Sequence, residues 1–305
     1  MNRKLRNALL ALPGLLVLGA AIWFGLWYAS RGEGPGALLQ RLPTTDAVVI
    51  FMDFAGLRHS GLLRQLQNSR VTEEAEYRDF TRQTDFDYAR DLDTAVLSVA
   101  PTGKYILARG RFDWKKLDAY AEAQGGACER GFCRMQGSQP DRRISFFPAQ
   151  SDLLALAVSA DDSAALRLSV AGSSARFEAP DAPLWVSIPA SVLQSRDALP
   201  AEARGFAGTL ARAESVVLSL VPEDRRFAVK LSVRCRGAGD ASELAAQLTK
   251  LTSVVRQTFS NEHQAANPAD LTGVLTGGTF RSDGNRVLGE WPIAPAFLEN
   301  LLGRN

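Results

Sequence analysis

The chain reads as an α+β protein behind a single N-terminal transmembrane helix, with its body built from two tandem ferredoxin-like units. Three observations lead there. One apolar run opens the sequence, strand-like and helix-like segments alternate without a glycine-rich βα turn, and the second half repeats the element order of the first.

The opening residues 1–7 carry Arg3, Lys4 and Arg6 as a basic stub, and residues 8–29 follow as an uncharged apolar run. That run is long enough to cross a hydrocarbon core of about 30 Å as a helix. Trp23, Trp27 and Tyr28 gather at its far end, at headgroup level. The basic cluster precedes the span, so the positive-inside rule sets the N-terminus in the cytoplasm and the bulk of the chain outside. A cleavable signal would be cut after Gly19-Ala20-Ala21, but the apolar run continues beyond that point, which favours an uncleaved anchor. The expected address is the bacterial inner membrane, single-pass, with a periplasmic or extracellular body. Within the span, Ala21 and Gly25 form a small-xxx-small pair that permits a homodimer.

Residues 30–42 read as an extended Gly/Pro tether, and residues 43–170 as the first α+β domain. It begins with the strand DAVVIFMDF and a polar helical stretch from Gly56 to Arg82. The strands TAVLSVAP and KYILARGRF follow, joined by a hairpin turn at Pro101-Thr102-Gly103, and then the helix DWKKLDAYAEAQ. A cysteine hairpin, the strands RRISFFPA and LLALAVSA and a short helix DDSAALRLSV complete the domain. Residues 171–183, rich in small residues and proline, read as a linker to a second domain at 184–305. There APLWVSIPA, a helix near Ala203 to Ala213, SVVLSLVPE, RFAVKLSVRC, a helix from Ser242 to Phe259, GGTFRS, RVLGEWPIA and PAFLENLL follow in the same order. TAVLSVAPTGKYILARG beside SVVLSLVPEDRRFAVKL is the best-matched pair, and points to an internal duplication.

Cys128 and Cys133 stand five positions apart around a turn-like Glu-Arg-Gly-Phe. In an oxidising compartment this predicts a structural disulfide across a hairpin, and a loop so short contributes about 2 kcal/mol by chain entropy. The spacing is not the C-x-x-C of redox-active dithiols. Cys235 ends an alternating strand face and reads as a buried, inert thiol.

Several chemistries are excluded by pattern. The only histidines, His59 and His263, lie far apart, so no zinc ligand set is expected and no cofactor is implied. Asp85, Asp87, Asp91 and Asp93 suggest a calcium loop, but the sixth and twelfth positions hold Arg90 and Val96; a capped helical turn is expected instead. APTGKY lacks the first glycine and the hydroxyl of a phosphate loop, and no G-x-S-x-G elbow is present. Three of the 35 basic residues precede the span, leaving 32 against 33 acidic ones, a balance that gives nucleic acid no electrostatic purchase.

One surface pattern remains. Alternation places Arg109 and Arg111 on one strand face, and Lys230, Arg234 and Arg236 on one face of the equivalent strand. These basic stripes are the expected partner-facing or ligand-facing surface.

The segments LPTTDAVVIFMDFAGLRHSGLL, EYRDFTRQTDFDYARDLDTAVLS and GRFDWKKLDAYAEAQGGACERGFCRMQGSQPDRRISFFP resemble a group of uncharacterised, Acidobacteria-like bacterial envelope proteins of the domain-of-unknown-function type, over Leu42 to Val170. The resemblance implies a single-span, outward-facing protein with no assigned catalytic residues. The expected role is a non-enzymatic, membrane-anchored binding or scaffold module for an envelope protein partner. A hydrolase-like envelope enzyme with a site between the domains, or a small-ligand-binding protein, are the alternatives.

Overall fold

The computed structural model describes residues 35–63, 75–170, 172, 178–194, 210, 213–223, 226–261 and 267–301. The expected span at 8–29, the helix near 203–213 (apart from Leu210 and Ala213) and His263 lie outside them. Among the described residues no helix is long and apolar enough to cross a membrane.

Twelve strands form one sheet: β1 (Val48–Asp53), β2 (Leu92–Ala100), β3 (Gly103–Gly110), β4 (Ala127–Glu129), β5 (Phe132–Gln136), β6 (Arg143–Gln150), β7 (Leu153–Ser159), β8 (Leu184–Pro189), β9 (Ala213–Glu223), β10 (Arg226–Cys235), β11 (Thr279–Asp283) and β12 (Arg286–Ile293). Their spatial order is β11-β12-β10-β9-β8-β1-β2-β3-β7-β6-β5-β4. Outward from the β1/β8 seam, β1-β2-β3-β7-β6 on one side is mirrored by β8-β9-β10-β12-β11 on the other. Among the described strands, β4 and β5 have no counterpart.

This order departs from two separate ferredoxin-like domains. Such units place a third strand between the two parallel strands that a helical crossover joins, whereas here β1 and β2, joined through helices, are direct antiparallel neighbours, and so is every other pair among the described residues. Asp53 at the end of β1 faces Thr94 near the start of β2, so the helical connection returns to the sheet end it left. The β-α-β order in the sequence is compatible with either return, and strand direction is decided by where the connection ends.

The halves are also joined. Phe51 of β1 faces Trp185 of β8, and their rings stack at 5.5 Å. Trp185 is 1% exposed, in a core with Leu107, Leu153 and Ala155 of the first half. The continuous ladder and this shared aromatic pair join the two segments on either side of the expected linker at residues 171–183, where residues 171 and 173–177 lie outside the described residues and Ala182 is buried in the same core.

The tether expectation changes in the same way. Residues Pro35–Leu39 form a helix, α1, and Leu38, Leu39 and Leu42 are buried against the sheet. Leu38 and Leu39 end the helix and Leu42 follows it, and burying each leucine is worth about 2 kcal/mol, enough to prefer the sheet over an extended path in water. Ser98 donates its hydroxyl to the Pro43 carbonyl and fastens the exit of this segment.

On the front face of the first half, α1 and a 3-10 helix (Ala164–Ser169) close a core with Val49, Val96, Tyr105, Leu107 and Leu153. The back face carries the remaining helices: α2 (Phe54–His59), α3 (Ala75–Thr84), α4 (Tyr88–Asp91), α5 (Trp114–Ala123), α7 (Ala238–Asn261), α8 (Leu271–Gly277) and α9 (Pro295–Leu301), with the short α6 (Ala190–Gln194) beside β8 and β9. Asp53 caps α2 by accepting from the Gly56 N–H, and Asp113 caps α5 by accepting from the Lys116 N–H. Phe54 and Leu57 share a back-face core with Ile293 and Phe297 from the far end of the chain, a second link between the halves.

The local turns follow their residue chemistry. Arg130 and Gly131, at φ 52° and 81°, make the two-residue turn between β4 and β5, both in the left-handed region that such hairpins require. Gly103 opens β3 at φ 152°, where an added Cβ would stand 2.5 Å from the Val158 carbonyl oxygen. The APTGKY stretch is accordingly a hairpin between β2 and β3, as expected.

Candidate functional site

Alternation along β8, β9, β10 and β12 separates two sets of side chains. Val216, Leu231, Val233, Val287 and Trp291 point back, into a core with Leu244 and Leu248 of α7. The intervening residues point forward; Trp185 at the seam is buried in the first-half core, and among the described residues no helix covers the others. The register sets them in three rows across the strands. The middle row runs Ser187, Val217, Ser232 and Leu288. One flank runs Trp185, Ser219, Lys230 and Glu290; the other runs Ser215, Arg234 and Arg286.

Apart from the buried Trp185, these rows floor two adjoining depressions of about 390 and 400 Å³ that share Pro180, Val217 and Ser232. Glu178, Ala179 and Pro180 line the depressions beside the strands, and together they make a shallow groove. It reaches the seam at Thr44 and Ala47 and runs outward to Arg281 and Glu290.

Charge in the groove is internally balanced. Glu178 bonds the Arg286 guanidinium and lies 3.6 Å from that of Arg234. The Arg286 hydrogen bond, then its charge, hold the Glu178 carboxyl below the usual carboxylate range. Lys230 Nζ lies 2.8 Å from Glu223, whose hydrogen bond raises the ammonium, with Glu290 adding to it from the next strand. These pairs are largely exposed, and their worth is in orientation and selectivity more than in stability. Neither histidine nor cysteine lines the groove. Its described lining mixes serine hydroxyls, paired charges and apolar side chains, an arrangement suited to recognising a mixed polar and apolar surface.

The predicted basic residues divide. Lys230 and Arg234 are in the groove. Arg109 shares the front face of Tyr105 and Leu107 but lies in the covered half, where its guanidinium is 2.8 Å from Asp152 and its side chain only 14% exposed. Arg111 falls one residue past the end of β3 and reaches to Asp91, so it forms no stripe with Arg109. Arg236 lies beyond the end of β10 on an exposed turn. Strand ends, invisible to a pure alternation rule, account for both displacements.

Sequence reasoning missed Glu178, Arg286, Leu288 and Glu290. The signal was present in RVLGEWPI, where Arg286, Leu288 and Glu290 alternate with the buried Val287, Gly289 and Trp291. The bond to Glu178, over a hundred positions away, had no local trace.

The acidic stretch is a structural knot, capped as expected. Asp87 caps α4 by accepting from the Ala89 N–H. Asp91 is buried rather than solvated: its carboxylate accepts from Arg90 at 2.7 Å, from the Asp87 N–H at 2.9 Å and from Arg111 at 3.3 Å. Those bonds, led by that from Arg90, outweigh burial and lower its pKa to about 2.

Cys128 and Cys133 are joined directly across the β4–β5 hairpin. With Asp118 they form the group of potential metal ligands found among the described residues, but the two sulfurs are bonded to each other. Cys235 is buried, and burial pushes its thiol up, as an inert core sulfur should behave.

No protein-family model and no curated protein matches the sequence. Solved structures do match in shape. Crystal form III of TP0453 superposes with a TM-score of 0.51 at 9% identity, covering 87% of this chain and 97% of that one. Crystal form I gives 0.50 at 12% identity, covering 89% and 99%. At such identities the likeness is one of fold alone: a mixed α+β architecture on a large antiparallel sheet, shared over nearly the whole of both chains.

Proposed function

We propose that the chain is a membrane-anchored, extracytoplasmic binding module of the bacterial envelope, made of two duplicated α+β halves on one sheet, and that it docks an envelope protein partner in the front groove of its second half. The observation that carries this reading is the unequal treatment of equivalent faces. The mirrored strand order makes the two front faces counterparts. The first is sealed by α1 and the 3-10 helix over a leucine-rich core, while the second presents half-buried Val217 and Leu288 among hydroxyls and paired charges. A sheet face with apolar residues on its floor and charges on its rim has the anatomy of a protein contact: apolar at the centre, polar around it. The mirrored order also supports duplication, and the uncharged run at 8–29 supports the anchor.

The test is copurification after in-cell crosslinking of the tagged, full-length protein. Lys230→Glu with Arg234→Glu reverses two rim charges, and should remove a reproducible envelope partner that the exposed back-face change Gln247→Glu retains. Equal recovery of the partner from both variants would overturn the assignment of the groove.

A further inference from the structure

The disulfide stands in an arrangement that a hairpin clip does not require. Among the described residues the second half builds its five-stranded counterpart with no equivalent of β4–β5, so the mirrored sheet does not depend on the hairpin or its sulfurs. The two sulfurs are unequally placed: Cys128 is half-buried, Cys133 fully so. Asp118, on the α5 turn beside the buried Leu117 and Ala121, sets its Oδ1 3.3 Å from Cys133 Sγ. A bonded sulfur has no proton to give, so this contact is a hydrogen bond only when the carboxyl carries the proton or when Cys133 is a free thiol. Burial first, and then Glu122 one turn further along α5, raise the Asp118 carboxyl above its ordinary range. The groups facing it from β4 and β5 are the two sulfurs, and α3 packs on α5 through Phe80 against Tyr120.

We propose that Cys128–Cys133 is a reducible couple for a dithiol partner, with Cys128 taking the incoming thiolate and Asp118 carrying the proton for the departing Cys133. The partner's thiolate bonds to Cys128 Sγ, the Cys128–Cys133 bond breaks, and its electron pair goes to Cys133 Sγ. The Asp118 proton moves to that sulfur, leaving a thiol hydrogen-bonded to a carboxylate. The partner's second thiolate then attacks the partner sulfur of the mixed disulfide, closing the partner's own disulfide. Cys128 is released and takes a proton from water, as does Asp118. The protein has gained two electrons and two protons, and the dithiol has lost them. Protonating the leaving sulfur accelerates the slow step, because thiolate basicity limits departure.

The full chain in detergent is reduced with dithiothreitol at stepped pH values on both sides of the Asp118 titration, and the rate is divided by that of Asp118→Asn at each pH, which cancels the reagent's own titration. The ratio should be about tenfold at the acid end and approach one as Asp118 ionises. Glu122→Gln removes a neighbouring negative charge at an exposed position, so it should move that decline to lower pH while leaving the fold intact; it serves alone if Asp118→Asn does not fold. With Cys133→Ser the remaining Cys128 should be alkylated at least tenfold faster than the Cys133 left by Cys128→Ser, by the difference in access. A ratio of one at every pH, or a decline that Glu122→Gln does not move, would overturn the role of Asp118. Equal alkylation would overturn the order of attack.

Discussion

Replacing Asp91 with asparagine tests how the knot at the end of the first hairpin is held. The carboxylate is 9% exposed and gathers Arg90, Arg111 and the backbone of Asp87, tying α4 and the start of β2 to the end of β3. Its pKa falls from the ordinary 3.8 to about 2. At 1.36 kcal/mol per pH unit, that shift corresponds to about 2 kcal/mol of folding free energy. The folded pKa is depressed, so this contribution is fully present above the unfolded value near 3.8 and is lost as pH falls through about 2. Asp91→Asn should therefore lower stability by about 2 kcal/mol at neutral pH, a Tm decrease of roughly 4–8 °C for a body of this size. The gap should narrow steadily below about pH 4 and nearly close near pH 2, where the carboxyl is wholly protonated in the unfolded chain and about half protonated in the folded one. Urea unfolding of both proteins at stepped pH values, followed by tryptophan fluorescence, measures the gap directly and cancels the other carboxylates common to both. A gap that is absent at neutral pH, or constant down to pH 2, would refute the reasoning.

Two further perturbations address the fold. Trp185→Ala deletes a ring 1% exposed at the β1/β8 seam, and should cost about 3–5 kcal/mol and destabilise both halves together, giving a single transition at lower urea in which probes in either half coincide. Two separate transitions, with the first half unchanged, would mean that the seam does not couple them. Cys235 should resist alkylation in the native protein and react at the rate of opening, since its thiol is both buried and shifted toward the protonated form. Prompt labelling without denaturant would contradict that placement.

What could be read from the residues was what their chemistry decides locally. Pro101-Thr102-Gly103 demanded a turn because Gly103 alone accepts its φ against the Val158 carbonyl, and Glu-Arg-Gly-Phe between two cysteines demanded a tight hairpin. The strands around them were recoverable from their period of two. Partners distant in sequence were not. No local pattern says that β1 pairs with β8, that Leu38, Leu39 and Leu42 fold back over the first sheet face, or that Glu178 meets Arg286. The candidate site was half-legible for the same reason. Lys230 and Arg234 sit where alternation put them, whereas Arg111, a single residue past a strand end, turned to the nearest buried carboxylate.

The unequal covering of two equivalent sheet faces is the centre of this account, and photo-crosslinking in living cells measures it most directly. A photoreactive residue at Ser219 or Ser232, on the groove floor, is compared with one at Gln247 on the exposed side of α7. A discrete adduct of one mass is expected from the two groove positions and none from Gln247. Adducts from Gln247 alone, or no adduct from either groove position while the protein remains folded and exported, would contradict it.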